Sequence, residues 1–281
     1  MKQFQLSESN YHSTEANQRY FSASQIKKFY SCEARAMAMI NGEYVPDETT
    51  SLLVGSYVDA YFSAKRTNDC TGEISGPEFE EFMMNKGRQI FNSRTGELKA
   101  EYRLADQMIR RAESDDLFME YMSGRKQVIM TANIFGVPFK VKFDVLRDNY
   151  SAGEKRIVDL KTVRDFKPMY REGEGRLNFV EYWRYDLQLA IYQEVYRVHK
   201  GLRLPTYLAC ITKEQPPDIE VISVPQEQLD MCLELLSKDI ERFRMVKAGI
   251  LAPKRCEDCA YCRMTKRLTA PMNLSELNDY E

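Results

Sequence analysis

Two aspartates and a lysine carry the first chemical signal in the chain. Asp144 lies in KFDVL, flanked by Phe143 and Val145, and Asp159 and Lys161 lie in IVDLKTV. Both stretches read as strands. Residues i and i+2 of a strand point to one face, so Asp159 and Lys161 project together, and pairing of the two strands brings Asp144 beside Asp159. Burying two carboxylates among Val141, Val158 and Leu160 is costly unless a cation compensates. A hard divalent ion meets that need, because Mg²⁺ takes oxygen ligands and is commonly held by one or two carboxylates plus substrate phosphate. The chemistry is then metal-assisted phosphodiester hydrolysis, in which the ion polarises the phosphate and the lysine orients water or steadies developing charge. A lone D-x-K is more often a surface ion pair; here the apolar neighbours leave only a narrow polar face.

A second signal is CEDCAYC, which sets Cys256, Cys259 and Cys262 at two-residue gaps. The chain has seven cysteines, an odd count without an export signal, which argues against a disulfide framework. Three thiols on a tight loop leave a tetrahedral site one ligand short, and Cys32 is the candidate for the fourth. Zinc suits four thiolates; the plainer alternative is a set of free thiols. Cys70, Cys210 and Cys232 fall in apolar or irregular segments and read as structural.

The elements that must position these groups follow from periodicity and breakers. FSASQIKKFYSCEARAMAMING reads as one helix, capped by Ser22 or Ser24 and closed by Gly42, with Ile26, Phe29, Tyr30, Ala34 and Met37 on its apolar side. SLLVGSYVDAYFSAKR reads as a second helix, and a long helical pattern runs from about Leu98 to Met122. QVIMTANIFGVPFKVKFDVLRD alternates around Gly136 and predicts a β-hairpin. KRIVDLKTV is a further strand, entered from the turn SAGEK. LNFVEYWRYDLQLAIYQEVYRVHKG predicts one amphipathic helix closed by Gly201. LPTYLACITK and DIEVISVP are strands parted by QPPD, and PQEQLDMCLELLSKDIERFRMVKAGI is the last long helix. That order predicts an α/β or α+β core sheet flanked by helices, with a helical N-terminal region.

Composition sets the outer bounds. With 281 residues and 43% hydrophobic content the chain can bury a real core, and its net charge of −2 is too small for a disordered one. No apolar stretch nears the roughly 18–20 residues needed to span a bilayer, and the start MKQFQLSESNYHSTEANQRYF lacks the apolar segment of a secretion signal, which predicts a cytoplasmic protein. A balance of 40 basic against 42 acidic residues means that any nucleic-acid surface is local rather than global.

Taken together, the motifs resemble the PD-(D/E)xK nuclease superfamily, with Asp144, Asp159 and Lys161 matching its signature. The resemblance implies that the backbone carbonyl of Leu160 joins the two aspartates around Mg²⁺ or Mn²⁺. QLAIY, with Gln188 and Tyr192 at i and i+4, is similar to the Q-x-x-x-Y motif of the branch that includes the RecB nuclease domain, AddB, λ-exonuclease-like and exonuclease VIII-like proteins, which implies that both side chains line the site and position DNA. GSYVD puts Asp59 where relatives carry the histidine of a G-x-x-x-H helix, and an aspartate also ligates a hard cation. Neither His12 nor His199 sits in a motif, and both are expected to face solvent. The likeness spans residues 21–268 and is strongest to phage and prophage exonuclease VIII-like proteins, through SCEARAMAMINGEY, LLVGSYVDAYF, DLKT and RCEDCAYCRMTKRL.

It implies an arm over 1–21, one nuclease domain over 22–268 and a tail over 269–281. Within the domain it implies a helical part (22–125), a catalytic core (126–250) and a cysteine segment (251–268). It further implies an exonuclease that attacks ends of linear duplex DNA and leaves single strands for an annealing partner, a ring-shaped homo-oligomer, and a phage or prophage origin in a bacterial host. By similarity to AddB and to CRISPR-adaptation nucleases, Cys32, Cys256, Cys259 and Cys262 would hold a [4Fe–4S] cluster, with Zn²⁺ the alternative. Arg263, Lys266 and Arg267 follow as a phosphate-contacting run or a solvated basic tail. The competing class is a DNA-binding module of a repair complex that has lost its chemistry; the intact Asp144, Asp159 and Lys161 argue against it.

Overall fold

The structure is a computed structural model and describes residues 4–66, 74–149, 154–271 and 273–274. Cys70, much of the turn SAGEK and most of the C-terminal tail lie outside the described residues. The N-terminal region comprises α1 (Thr14–Arg19), α2 (Ala23–Ser31), α3 (Glu33–Ile40), α4 (Thr50–Ser63), the short pair β1 (Lys65–Arg66) and β2 (Ile74–Ser75), α5 (Pro77–Ile90), α6 (Arg103–Glu113) and α7 (Asp116–Tyr121). The core follows with β3 (Arg125–Ile134), β4 (Val137–Arg147) and β5 (Arg156–Val163), then a small hairpin of β6 (Met169–Arg171) and β7 (Gly175–Leu177). After it come α8 (Phe179–Tyr182), α9 (Tyr185–Lys200), β8 (Thr206–Thr212), β9 (Ile219–Ser223), α10 (Gln226–Lys247) and α11 (Ala260–Met264).

Five strands form one mixed sheet in the order β3-β4-β5-β8-β9, and only β5 and β8 run parallel. A parallel pair needs a crossover, and α9 supplies it. The β3–β4 hairpin turns through Phe135 and Gly136, both at positive φ, which is the twist-compatible turn of a two-residue loop. Helices cover both faces of the sheet. Ile26, Phe29, Ile191, Val195, Leu236 and Ile240 pack on Phe139, Val141, Phe143 and Ile157, whereas Leu53, Val58, Met108 and Phe118 pack with Val158, Leu160 and Ile211. The chain therefore has the predicted helix-flanked α+β core. Among the described residues no helix is long and apolar enough to cross a membrane.

The N-terminal segment is built onto this core. Phe21 bridges to Phe139, and Ala16 is fully buried. Lys140, 1% exposed, donates to the Tyr11 carbonyl and to Asn17 Oδ1 (2.8 Å), and Lys247 donates to the Tyr20 carbonyl (2.6 Å) and Gln25 Oε1 (3.1 Å). Carbonyl and amide oxygens satisfy these ammonium groups without neutralising them. Burial pushes Lys140 down to about 8; burial and then the charge of Lys140 bring Lys247 to about 7.

Three helices expected to be continuous are broken, the first two at a residue whose side chain caps the helix that follows. The first breaks at Cys32, in an extended conformation, whose Sγ caps α3 by accepting from the Arg35 amide at 3.5 Å. The second breaks at Asp115, which caps α7 through the Phe118 amide (2.9 Å). The third breaks at Arg184 in the left-handed region, between α8 and α9. Arg171 donates to the Glu181 and Tyr182 carbonyls at the end of α8, which stabilises a stop there. The hairpin β6–β7 and helix α5 were not anticipated from the pattern.

Candidate active site

Strands β4 and β5 pair from Arg147↔Arg156 to Val145↔Val158, and there the ladder stops. The next opposed pair would be Asp144 and Asp159. The strands fork instead, and the Leu160 amide, released from the ladder, donates to Asp144 Oδ2 at 2.9 Å. A residue's carbonyl lies on the same strand edge as its amide, so the Leu160 oxygen faces this gap; it accepts from Lys161 Nζ at 3.2 Å. The fork is what gathers a carboxylate from each strand and one backbone oxygen.

Asp159 is 1% exposed. Its Oδ1 accepts from Gln188 Nε2 at 2.8 Å, and the Lys161 ammonium closes on Oδ2, which takes no other hydrogen bond. Burial pushes the Asp144 carboxyl up, and the neighbouring charges of Asp159 and Asp59 push it further. Burial lowers Lys161, but Asp159 and Asp144 more than offset that and hold its pKa above the ordinary lysine range. The fork thus crowds like charges that a divalent cation would relieve, and its donors are all oxygens of the kind Mg²⁺ and Mn²⁺ prefer.

Helix α4 delivers Asp59 to the same region. Gly55, one turn earlier, lies so close to β5 that a Cβ there would meet Thr162 Oγ1 at 2.6 Å. The Asp59 carboxyl opens onto a cleft of about 1080 Å³ that also includes Ser56, Glu78, Phe82, Lys86 and Lys142. Lost hydration raises its pKa against the lowering effect of Lys161 and Lys142. Asp59, Asp144 and Asp159 interact electrostatically but are set wider than a closed ligand cage. Among the described residues the cysteine quartet is the one set of three or more such groups with ligand atoms within 4.8 Å of one another. His12 is exposed on the rim of the same cleft, and His199 is exposed at the end of α9.

Because α9 starts at Tyr185, Gln188 falls in its first turn, facing β5. Gln188 Nε2 reaches Tyr192 Oη at 3.2 Å as well as Asp159, and Tyr192 packs edge-on to Phe143. Two lysines at this centre escaped the sequence reading. Lys27, from α2, donates to Gln188 Oε1 at 2.8 Å and lies 4.8 Å over the Tyr185 ring. With its oxygen held by Lys27, the amide of Gln188 must turn its nitrogen to Asp159. Burial and then Lys161 lower Lys27 to about 7. The one available signal was its position three residues before Tyr30 on a helix face assigned to the core. Lys126 is a further cation here, brought to about 8 by burial against the pull of Asp144 and Asp59.

Cys32, Cys256, Cys259 and Cys262 converge although Cys32 is far away in sequence. Cys32 and Cys262 are buried, and Cys256 is at the surface. Burial raises the Cys256 thiol, but the Cys259 and Asp258 amides win and bring it down to about 7. Cys210 is buried in β8, and Cys232 is half-buried on α10. Arg263 is tied to Asp258.

Residues 22–265 match the model of a family described as a PDDEXK-like domain of unknown function, DUF3799. The chain belongs to this family. Among solved structures, this PDDEXK-like chain is similar to a protein from Eubacterium rectale described as a "putative exonuclease". The two are 38% identical with a TM-score of 0.85, over 99% of this chain and 100% of that one. Among curated proteins, none matches significantly. A PDDEXK-like fold with such a neighbour supports a nuclease.

Proposed function

We propose that the chain is a Mg²⁺- or Mn²⁺-dependent deoxyribonuclease that degrades linear duplex DNA from its ends, in the manner of phage recombination exonucleases. The single observation that carries this reading is the fork between β4 and β5, where Asp144, Asp159, the Leu160 carbonyl and Lys161 meet. Asp144, Asp159 and the Leu160 oxygen would hold the ion, with Asp59 completing the set; the ion supplies Lewis-acid polarisation of the phosphodiester. Lys161 holds attacking water and steadies negative charge on the phosphate oxygens. Gln188 and Tyr192 orient Asp159 and position the DNA end. Lys27 fixes the orientation of Gln188. The single strands left behind would pass to an annealing protein in the bacterial cytoplasm, and a ring of subunits would keep the enzyme on its strand.

The test compares wild type with Asp159→Ala on end-labelled linear duplex and on covalently closed circular DNA, with Mn²⁺. Wild type should release nucleotides from the linear substrate only, and the variant from neither. Equal release by both proteins, or by neither, rejects the reading; cutting of the closed circle rejects the need for an end.

A further inference from the structure

The four convergent cysteines form a cluster of their own with Ala34 and Tyr261, and their geometry can be read without reference to DNA. Cys32 Sγ and Cys262 Sγ are 3.5 Å apart, Cys256 Sγ and Cys262 Sγ 3.9 Å, and all four sulfurs lie within 4.8 Å of one another. A tetrahedral ion with metal–sulfur bonds of about 2.3 Å sets its sulfurs about 3.8 Å apart. In a [4Fe–4S] cluster each thiolate binds a different iron, so the inorganic core separates the sulfurs further. The space among these four admits one ion and excludes a four-iron core.

We propose that Cys32, Cys256, Cys259 and Cys262 hold a single zinc ion as a tetrathiolate site, in place of the iron–sulfur cluster implied by family resemblance. Zinc binds such donors more tightly than Fe²⁺ and needs no redox partner. Binding converts four thiols to thiolates and releases their protons to solvent; no electrons move.

The surroundings are organised for this load. The Cys259 amide donates to Cys256 Sγ at 3.3 Å and the Arg35 amide to Cys32 Sγ at 3.5 Å, both favouring thiolate. Glu257 takes positive φ, which reverses the chain between the first two cysteines. The segment entering the loop is pinned to α3: buried Glu33 accepts from Arg242 (2.7 and 2.8 Å) and from the Lys254 amide (2.7 Å), and the Ala34 amide donates to the Lys254 carbonyl (3.0 Å). The ion therefore locks residue 32 to the loop 256–262. Cys32 directly follows α2, the helix that carries Lys27, so the zinc also fixes the end of that helix.

Mass spectrometry of the purified full chain should find one zinc per chain in a colourless protein. Thiol reagents should then release that zinc into a chromophoric indicator as four thiols react. Replacement by Co²⁺ should produce the visible bands of a tetrahedral tetrathiolate. Cys259→Ser should lose most of the zinc; if it does not fold, stoichiometric zinc release from wild type still decides. Iron with acid-labile sulfide, a single iron, or no metal with four freely reacting thiols would each overturn the proposal. None of these readouts depends on nuclease activity, so the two readings fail separately.

Discussion

Lys27→Met tests whether the orientation of Gln188 matters to catalysis. The substitution keeps the length of the side chain and its packing over Tyr185, 4.8 Å away, while deleting the ammonium that donates to Gln188 Oε1 at 2.8 Å. A hydrogen bond from a charged donor contributes about 1.5–3 kcal/mol. If Gln188 must present its nitrogen to Asp159 in the transition state, that loss lowers kcat/KM by about 10- to 150-fold, at about 1.4 kcal/mol per factor of ten. Because Lys27 acts through Gln188, the double variant Lys27→Met/Gln188→Ala should be no slower than Gln188→Ala alone. The pH profile gives an independent readout. With Lys27 near 7, the wild-type advantage over Lys27→Met should be largest near pH 6 and shrink above pH 8 as the ammonium deprotonates. Lys27→Arg, always charged, should show no such convergence. The assay is release of acid-soluble nucleotide from linear duplex with Mn²⁺, with circular dichroism confirming fold. Lys27→Met within threefold of wild type, or strictly additive losses in the double variant, would refute the reasoning.

Three further outcomes follow from other parts of the molecule. Asp144→Asn should abolish nuclease activity yet raise the melting temperature of the metal-free protein by a few degrees, because it removes one of the crowded charges at the fork while keeping an acceptor for the Leu160 amide; added Mn²⁺ should stabilise wild type but not the variant. Gly55→Ala should destabilise by about 1–3 kcal/mol through the 2.6 Å approach to Thr162 Oγ1, and Thr162→Ala, which deletes that oxygen, should restore much of the loss in thermal denaturation. Lys140 and Lys247 have folded pKa values of about 8 and about 7 against 10.5, so between those limits the unfolded chain binds more protons and stability should rise with pH. Denaturant titrations from pH 7 to 9.5 should show that rise, up to about 1.4 kcal/mol per pH unit for Lys140, flattened in Lys140→Met.

The strands were legible because they obey short-range rules: alternation around Phe135 and Gly136, QPPD between β8 and β9, and apolar residues packing Asp144 and Asp159 on either side. Gln188 and Tyr192 were legible because i and i+4 share a helix face. The helix breaks at Cys32, Asp115 and Arg184 were not, since each depends on a side chain or a distant arginine finding a backbone partner that periodicity does not encode. Lys27 was hidden for a related reason: an ammonium over Tyr185 looks, in sequence, like any solvated charge beside an apolar face. The cysteine spacing disclosed the quartet but not the separation of its sulfurs, which only the fold provides.

The forked ladder also explains why the two halves of the acidic motif obey different spacing rules. Asp159 and Lys161 are two residues apart on one strand, and adding or removing a residue there would turn one of them to the opposite face. Asp144 belongs to the neighbouring strand and is held by the pairing of Val145 with Val158. The segment joining the strands can therefore lengthen or shorten in evolution without moving either aspartate. Relatives of this chain are better sought by the position of the last paired residues than by the count between the two acids.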